Sequence, residues 1–274
     1  MRRFPSRPLL RLAVLLGVCS AVLFSVSPAS AIIDGQPDST HPYVGVVVAD
    51  YPGYGTVAYC SGTLVSPTAF VTAAHCVAGL PAGVRLLGLS VDPDPFSDSD
   101  LDSHLLGIKD FVYFPGFALP DVYTDIAVIH LTNPVWMSTY GTLPTVVGAL
   151  ESLKDKKADD TTFTVVGYGW QQFVPHSDGL GVRRWTTSRM QGFRYATSPP
   201  GKGDASASSL LELTKNQGSA GTVCYSDSGG PLFAGPGNAV AAITVAGSKN
   251  CTGSYEGLRL DTVPVLSFLN KYAK

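Results

Sequence analysis

An all-β fold, sandwich or barrel, is what this sequence predicts, and three observations predict it. The apolar runs are short and broken by turns. Glycine fills 29 positions and proline 20, the supply that many tight connections need. Helical periodicity is scarce until the C-terminus. With 45% hydrophobic and 15% charged residues, the 274-residue chain can bury a core and is not disordered.

From the N-terminus, Arg2, Arg3, Arg7 and Arg11 precede an apolar run from Leu12 to Val26 and then Ala29-Ser30-Ala31. These are the charged end, hydrophobic stretch and small cleavage residues of an export signal. A membrane anchor is the other reading, but a span takes roughly 20 apolar residues, more than this run supplies. Residues 1–31 are therefore expected to be a signal peptide, and the protein to be secreted and extracellular.

Beyond Ile32, strands are predicted at Tyr43 to Ala49, Gly62 to Val65, Ala69 to Thr72, Ile126 to Leu131, Phe163 to Val166 and Val240 to Val245. Each is a short apolar run bounded by turn residues. Glu151 to Asp160 is the most charged stretch and reads as a connector between two halves, 32–150 and 151–274. Ser198 to Ser209, rich in proline, glycine and serine, reads as a surface loop. Val265, Leu266, Leu269 and Tyr272 recur at helical spacing, which predicts an amphipathic helix from Val263 to Tyr272.

The formal net charge is −2; setting aside the four leader arginines leaves 15 basic against 21 acidic residues, near −6. A mildly acidic surface argues against nucleic acid as a partner. Cys19 lies in the expected signal, leaving Cys60, Cys76, Cys224 and Cys251. An even count suits an oxidising exterior, and four cysteines allow three pairings between which spacing does not choose.

Three motifs carry chemistry. Cys224-Tyr225-Ser226-Asp227-Ser228-Gly229-Gly230-Pro231 sets a serine in a glycine-bounded turn that exposes its hydroxyl. Thr72-Ala73-Ala74-His75-Cys76 lies upstream, and Thr124-Asp125-Ile126-Ala127-Val128 lies between. A serine hydroxyl needs a base within hydrogen-bond reach, and imidazole suits that role because it titrates near neutral pH. An aspartate heading an apolar strand can orient that imidazole. His41, His104, His130 and His176 stand in no such context.

The order histidine, aspartate, serine, in these motifs, resembles the trypsin/chymotrypsin family of serine proteases from about Ile32 to the C-terminus. The resemblance implies two packed six-stranded antiparallel β-barrels with a C-terminal helix, His75 and Asp125 in the first and Ser228 in the second. It implies His75 as base, Asp125 as its orienting partner and Ser228 as nucleophile. It also implies bridges Cys60–Cys76 and Cys224–Cys251; other disulfides of animal members have no cysteines here, pointing to a leaner, bacterial-type relative. Asp227 is implied to pair with a free amino group at Ile32, since Ile32-Ile33-Asp34-Gly35 resembles the family's mature start. No basic propeptide residue precedes it, so removal of the signal after Ala31 is expected to create the activating terminus.

The oxyanion hole implied by the resemblance uses the backbone N–H groups of Ser226 and Ser228. Position 226 is glycine in the family, and serine there, at an energetic cost, is expected to leave the peptide flipped until substrate binds, which lowers activity or narrows specificity without abolishing the mechanism. The implied specificity pocket has the neutral Thr222 as its floor, with Val223, Tyr225, Val245, Gly247 and Gly257 around it. That favours bulky apolar side chains of protein or peptide substrates. Arg259 facing inward would favour acidic ones instead.

No cofactor is implied and no metal site; the acidic run Asp92 to Asp102 offers oxygen ligands for calcium but reads first as a solvated loop. A monomer free of nucleic acid, and of membrane once mature, is expected. A binding protein with decayed catalysis is the reading from another class, and an esterase of small metabolites shares the chemistry.

Overall fold

The first half folds as one curled sheet whose strands follow the apolar runs. The computed structural model describes residues 32–153, 161–170, 181–196, 207–215, 221–235 and 237–274; the expected signal, most of the expected connector and most of the 198–209 loop lie outside them. Strands β2 (Val44–Tyr51), β3 (Gly55–Leu64), β4 (Ala69–Thr72), β5 (Arg85–Ser90), β6 (Ile108–Tyr113) and β7 (Ala127–Leu131) pair in the order β5-β2-β3-β4-β7-β6. All neighbours are antiparallel. The two edges meet at an isolated bridge between Leu89 and Leu106. A four-residue helix α1 (Leu101–His104) precedes β6.

The second half closes fully. Strands β8 (Thr162–Gly167), β9 (Arg184–Tyr195), β10 (Ser209–Lys215), β11 (Pro231–Ala234), β12 (Val240–Gly247) and β13 (Tyr255–Arg259) run β9-β10-β13-β12-β11-β8, and β8 pairs back to β9. A closed ring leaves no unpaired edge. The short β1 (Gln36–Pro37) adds to β9, so the segment after Ile32 is fastened to the second half before the chain enters the first. Two barrels and a terminal helix therefore describe the chain, the first closed by one bridge only.

Why the halves stay together is visible in β2. Residues 44–49 are all buried, odd and even alike, whereas a strand facing solvent on one side would alternate. One face fills the first barrel, and the other shares a cluster with Val166, Tyr168 and Phe233 of the second. Arg183 reinforces the seam. Buried to 3% exposure, it donates to Asp38 Oδ2 (3.1 Å) and to the carbonyls of Val44 (3.2 Å) and Val91 (2.8 Å). Burial would raise the Asp38 carboxyl, but the bonds and charges of His41, Thr40 and Arg183 outweigh it and hold the pKa down to about 2.

The C-terminal helix α2 (Val263–Tyr272) has the limits its periodicity predicts. It buries Val265, Leu266, Phe268 and Leu269, leaves Tyr272 half-buried, and returns to the first barrel, with Phe268 against Phe114 at 5.7 Å.

The predicted strands are all present, with β4 matching end for end. The sequence reading did not find β1, β5, β6, β9, β10, β11 or β13. β9 explains why: its buried positions include Arg184, Thr186 and Ser188, so no apolar run marks it. Ser209, placed in a loop by composition, begins β10.

Arg259 ends β13 with its side chain fully enclosed and corrects one expectation. Its guanidinium is bidentate on Asp261 (3.0 and 2.9 Å), bonds Glu151 Oε1 (2.8 Å) and lies 4.4 Å from the Phe193 ring centre. Burial opposes its charge, yet Asp261 and Glu151 hold its pKa above the ordinary value. It does not face a pocket for acidic side chains. Glu151, read as linker, is thus part of a buried ion cluster. Asp261→Ala leaves the buried Arg259 charge only the partly exposed Glu151 as partner and is expected to cost about 3 kcal/mol in a urea melt, more than losing an exposed pair would.

Candidate active site

Register brings the first two site residues together. Thr72, the last residue of β4, lies opposite Ala127, the first of β7. The chain leaving β4 and the chain entering β7 therefore run side by side. A 3-10 turn, Ala74–Cys76, sets His75 against Asp125. The Asp125 carboxylate, 1% exposed, accepts from the His75 backbone N–H at Oδ1 (2.9 Å) and meets His75 Nδ1 at Oδ2 (2.6 Å). With both oxygens so used, the ring's other nitrogen is left for a substrate or nucleophile.

Ser228 comes from the second half, on the loop before β11. The loop packs directly on β4: a Cβ on Gly229, at φ +80°, would lie 2.2 Å from Thr72 Oγ1 and 2.4 Å from the Ser61 carbonyl. The glycine after the serine thus serves loop docking as well as the turn. Ser61 N–H donates to the Ser228 carbonyl (2.8 Å), and Cys76 Sγ, beside His75, lies 3.8 Å from that oxygen. Bridges Cys60–Cys76 and Cys224–Cys251 are formed, the pairing the resemblance implies.

Ser226 takes the left-handed conformation, φ 71°. The Tyr225 carbonyl accepts from Trp170 N–H (2.8 Å). Because a trans peptide points C=O and N–H oppositely, Ser226 N–H is turned away from Trp170 N–H.

Asp227 is buried to 1% exposure and takes backbone N–H bonds from Gly169 and Cys224, both 2.8 Å. That approach requires glycine: a Cβ on Gly169 would sit 2.4 Å from the carboxyl carbon. Burial pushes the Asp227 pKa up to about 7 despite those two donors, and among the described residues no cation faces it. Ile32 is fully buried in the same cluster as Val223 and Tyr255, and Ile33 bridges Thr222.

A cavity of about 560 Å³ holds His75, Ser226 and Ser228 together, walled by Tyr51, Tyr54, Val57, Ala58, Tyr59, Cys60, Trp170 and Tyr225. Of the expected pocket residues, Tyr225 lines it. Thr222, Val223, Val245, Gly247 and Gly257 do not: the first three are buried, Gly257 pairs with Thr244 and Gly247 with Tyr255. A methyl on Gly247 would stand 3.6 Å from Val223 Cγ2, so these two face each other. The aromatic wall was not read from the sequence. Three tyrosines within residues 51–59, around a Pro-Gly turn, were the available signal.

In the acidic run, Asp92 and Asp98 accept the N–H groups of Asp94 (2.8 Å) and Asp100 (2.9 Å), and Asp98 also pairs with His104 (2.5 Å). Among the described residues, the one gathering of three potential ligands is Cys60, His75 and Cys76, whose sulfurs form a disulfide.

A family model described as Trypsin matches residues 32–262. Granzyme M of Homo sapiens is 28% identical over 228 residues, 77% of this chain and 78% of that protein. CLIP domain-containing serine protease B4 of Anopheles gambiae is 25% identical over 74% of this chain, and coagulation factor XII of Cavia porcellus 25% over 76%. The chain spans 58% and 34% of those two relatives.

Among solved structures, human heparin binding protein aligns with a TM-score of 0.61 at 15% identity, covering 88% of this chain and 96% of that one. Neuropsin, a serine protease expressed in the limbic system of mouse brain, aligns at 0.58 and 18%, covering 89% and 100%. These two likenesses establish the fold, and the family match runs through most of the chain. The chain belongs to the trypsin family of serine proteases.

Proposed function

We propose that this protein is a secreted serine endopeptidase, acting as a monomer on protein or peptide substrates without a cofactor. The observation that carries the reading is the doubly hydrogen-bonded His75–Asp125 pair opening on the same cavity as Ser228. His75 takes the Ser228 hydroxyl proton as Oγ bonds to the substrate carbonyl carbon. The oxyanion forms against the N–H groups of Ser226 and Ser228. As the C–N bond breaks, the same proton passes to the leaving amine, giving an acyl-enzyme. Water then gives its proton to His75, attacks the ester and releases the acid with Ser228 restored.

Substrate preference follows the walls. The aromatic cavity and the neutral Thr222 both favour bulky apolar side chains near the scissile bond, and Arg259, engaged with Asp261 and Glu151, supplies no charge for acidic ones. Activation is assigned to signal removal: the amino group freed at Ile32 would meet Asp227, whose buried carboxyl otherwise has backbone donors only among the described residues.

The serine at position 226, a non-glycine residue at φ 71° where the family has glycine, favours one second reading, a binding protein on the same fold whose catalysis has decayed. A fluorophosphonate probe separates them. Labelling of the wild type, absent in Ser228→Ala, is expected, together with a mature N-terminus at Ile32 on sequencing. Wild-type protein that starts at Ile32 and stays unlabelled would support the binding protein. A start at any other residue would overturn activation by signal removal.

A further inference from the structure

We propose that Ser61 is a positioning residue for the oxyanion hole: its hydroxyl, with that of Ser226, forms a latch that holds a non-glycine residue in the left-handed conformation. The inference rests on the reading of Ser226 N–H as an oxyanion donor.

A side chain at φ 71° is disfavoured because Cβ crowds the backbone, so it persists only where neighbours over-determine it. The neighbours here are polar and specific. Ser61, fully buried on β3, accepts at Oγ from Tyr168 N–H (2.9 Å). A backbone N–H can only donate, so the Ser61 hydroxyl proton is free to go to the Ser226 carbonyl, 2.8 Å away. Ser226 Oγ in turn donates to the Ala58 carbonyl on the same strand (2.8 Å). Ser61's own carbonyl is occupied by Thr72 Oγ1 (2.7 Å).

Both peptide planes flanking the Ser226 Cα are therefore fixed. Trp170 N–H holds the one before it through the Tyr225 carbonyl, and Ser61 Oγ holds the one after it. Rotating Ser226 N–H out of position would break these bonds together. The serine side chain that creates the strain also supplies one of the tethers that resist it.

The arrangement predicts a particular coupling. Ser61→Ala removes the latch while Ser226 stays strained, and kcat on a peptide substrate is expected to fall tenfold to a hundredfold, roughly, with KM within about twofold. Ser226→Gly relieves the strain and makes the latch dispensable. The double variant Ser61→Ala/Ser226→Gly is expected within about threefold of Ser226→Gly alone. Losses that simply multiply would overturn the proposal, as would a Ser61→Ala effect confined to KM.

A second readout does not depend on catalysis. Hydrogen exchange in peptides covering residues 224–231 is expected to accelerate in Ser61→Ala and to return toward wild type in the double variant. If wild-type protein fails to react with the fluorophosphonate yet exchange behaves this way, the protease reading falls and the latch stands. Unchanged exchange sinks the latch. Should Ser61→Ala not fold, Ser226→Ala, which removes only the Ala58 tether, is expected to accelerate the same amides, and no acceleration there refutes it.

Discussion

Asp125→Asn is expected to lower kcat by about four orders of magnitude while leaving KM within about twofold and the fold intact. The geometry determines why. The His75 backbone N–H donates to Oδ1 and the ring meets Oδ2. In the asparagine variant the amide oxygen must stay on the backbone N–H, because the NH2 group cannot accept. That turns the NH2 toward Nδ1, which must then accept, so the ring proton moves to the nitrogen that should receive one from Ser228. The base is present but in the wrong tautomer. Steady-state kinetics and the rate of fluorophosphonate labelling should fall together; a loss under tenfold would show that Asp125 is only a structural acid.

The second large effect changes sign with processing. In a chain that keeps residues before Ile32, the Asp227 pKa is pushed up to about 7 by burial, above the ordinary carboxyl. The folded state then holds the proton more tightly than the unfolded one. This contribution to stability is greatest below about pH 4 and declines as pH rises to 7, by on the order of 4 kcal/mol. Asp227→Asn in that form is expected to flatten the decline relative to wild type, its NH2 group forfeiting one of the two backbone N–H bonds at every pH.

Once the Ile32 amino group is free, the carboxylate is expected to gain a cation, its pKa to fall, and stability to increase with pH instead. Asp227→Asn in the Ile32 form is expected to lower Tm at pH 7 and to cut kcat by about a hundredfold or more. Melting curves of the four proteins between pH 4 and 8 decide it. The same sign of pH dependence in both forms would remove the ion pair from the account.

How much of this was legible in the sequence follows from what each signal measures. Motif order singled out His75, Asp125 and Ser228, and apolar runs located the strands whose burial is hydrophobic. β4 and α2 were found to the residue because their apolar positions are dense and their ends are marked. β9 and β13 were missed because they bury Arg184 and Arg259, which bond Gly35 and Glu151 at 149 and 108 positions along the chain. Ser61 was invisible for the same reason: its partner Ser226 is 165 positions away, and a small serine in a strand signals nothing locally. Ser226 itself was legible as a departure from the family, but the compensation was not. The aromatic wall of the cavity needed the fold to bring Trp170 beside Tyr225, whose ring centres lie 4.9 Å apart.

The most direct measurement is hydrolysis of a mixed peptide library by the protein beginning at Ile32, with Ser228→Ala as control and the products sequenced. The account predicts cleavage that is lost in the control and clusters after Phe, Tyr, Leu or Met. Cleavage that survives Ser228→Ala, or no cleavage by folded protein that begins at Ile32, would contradict a serine endopeptidase at this site.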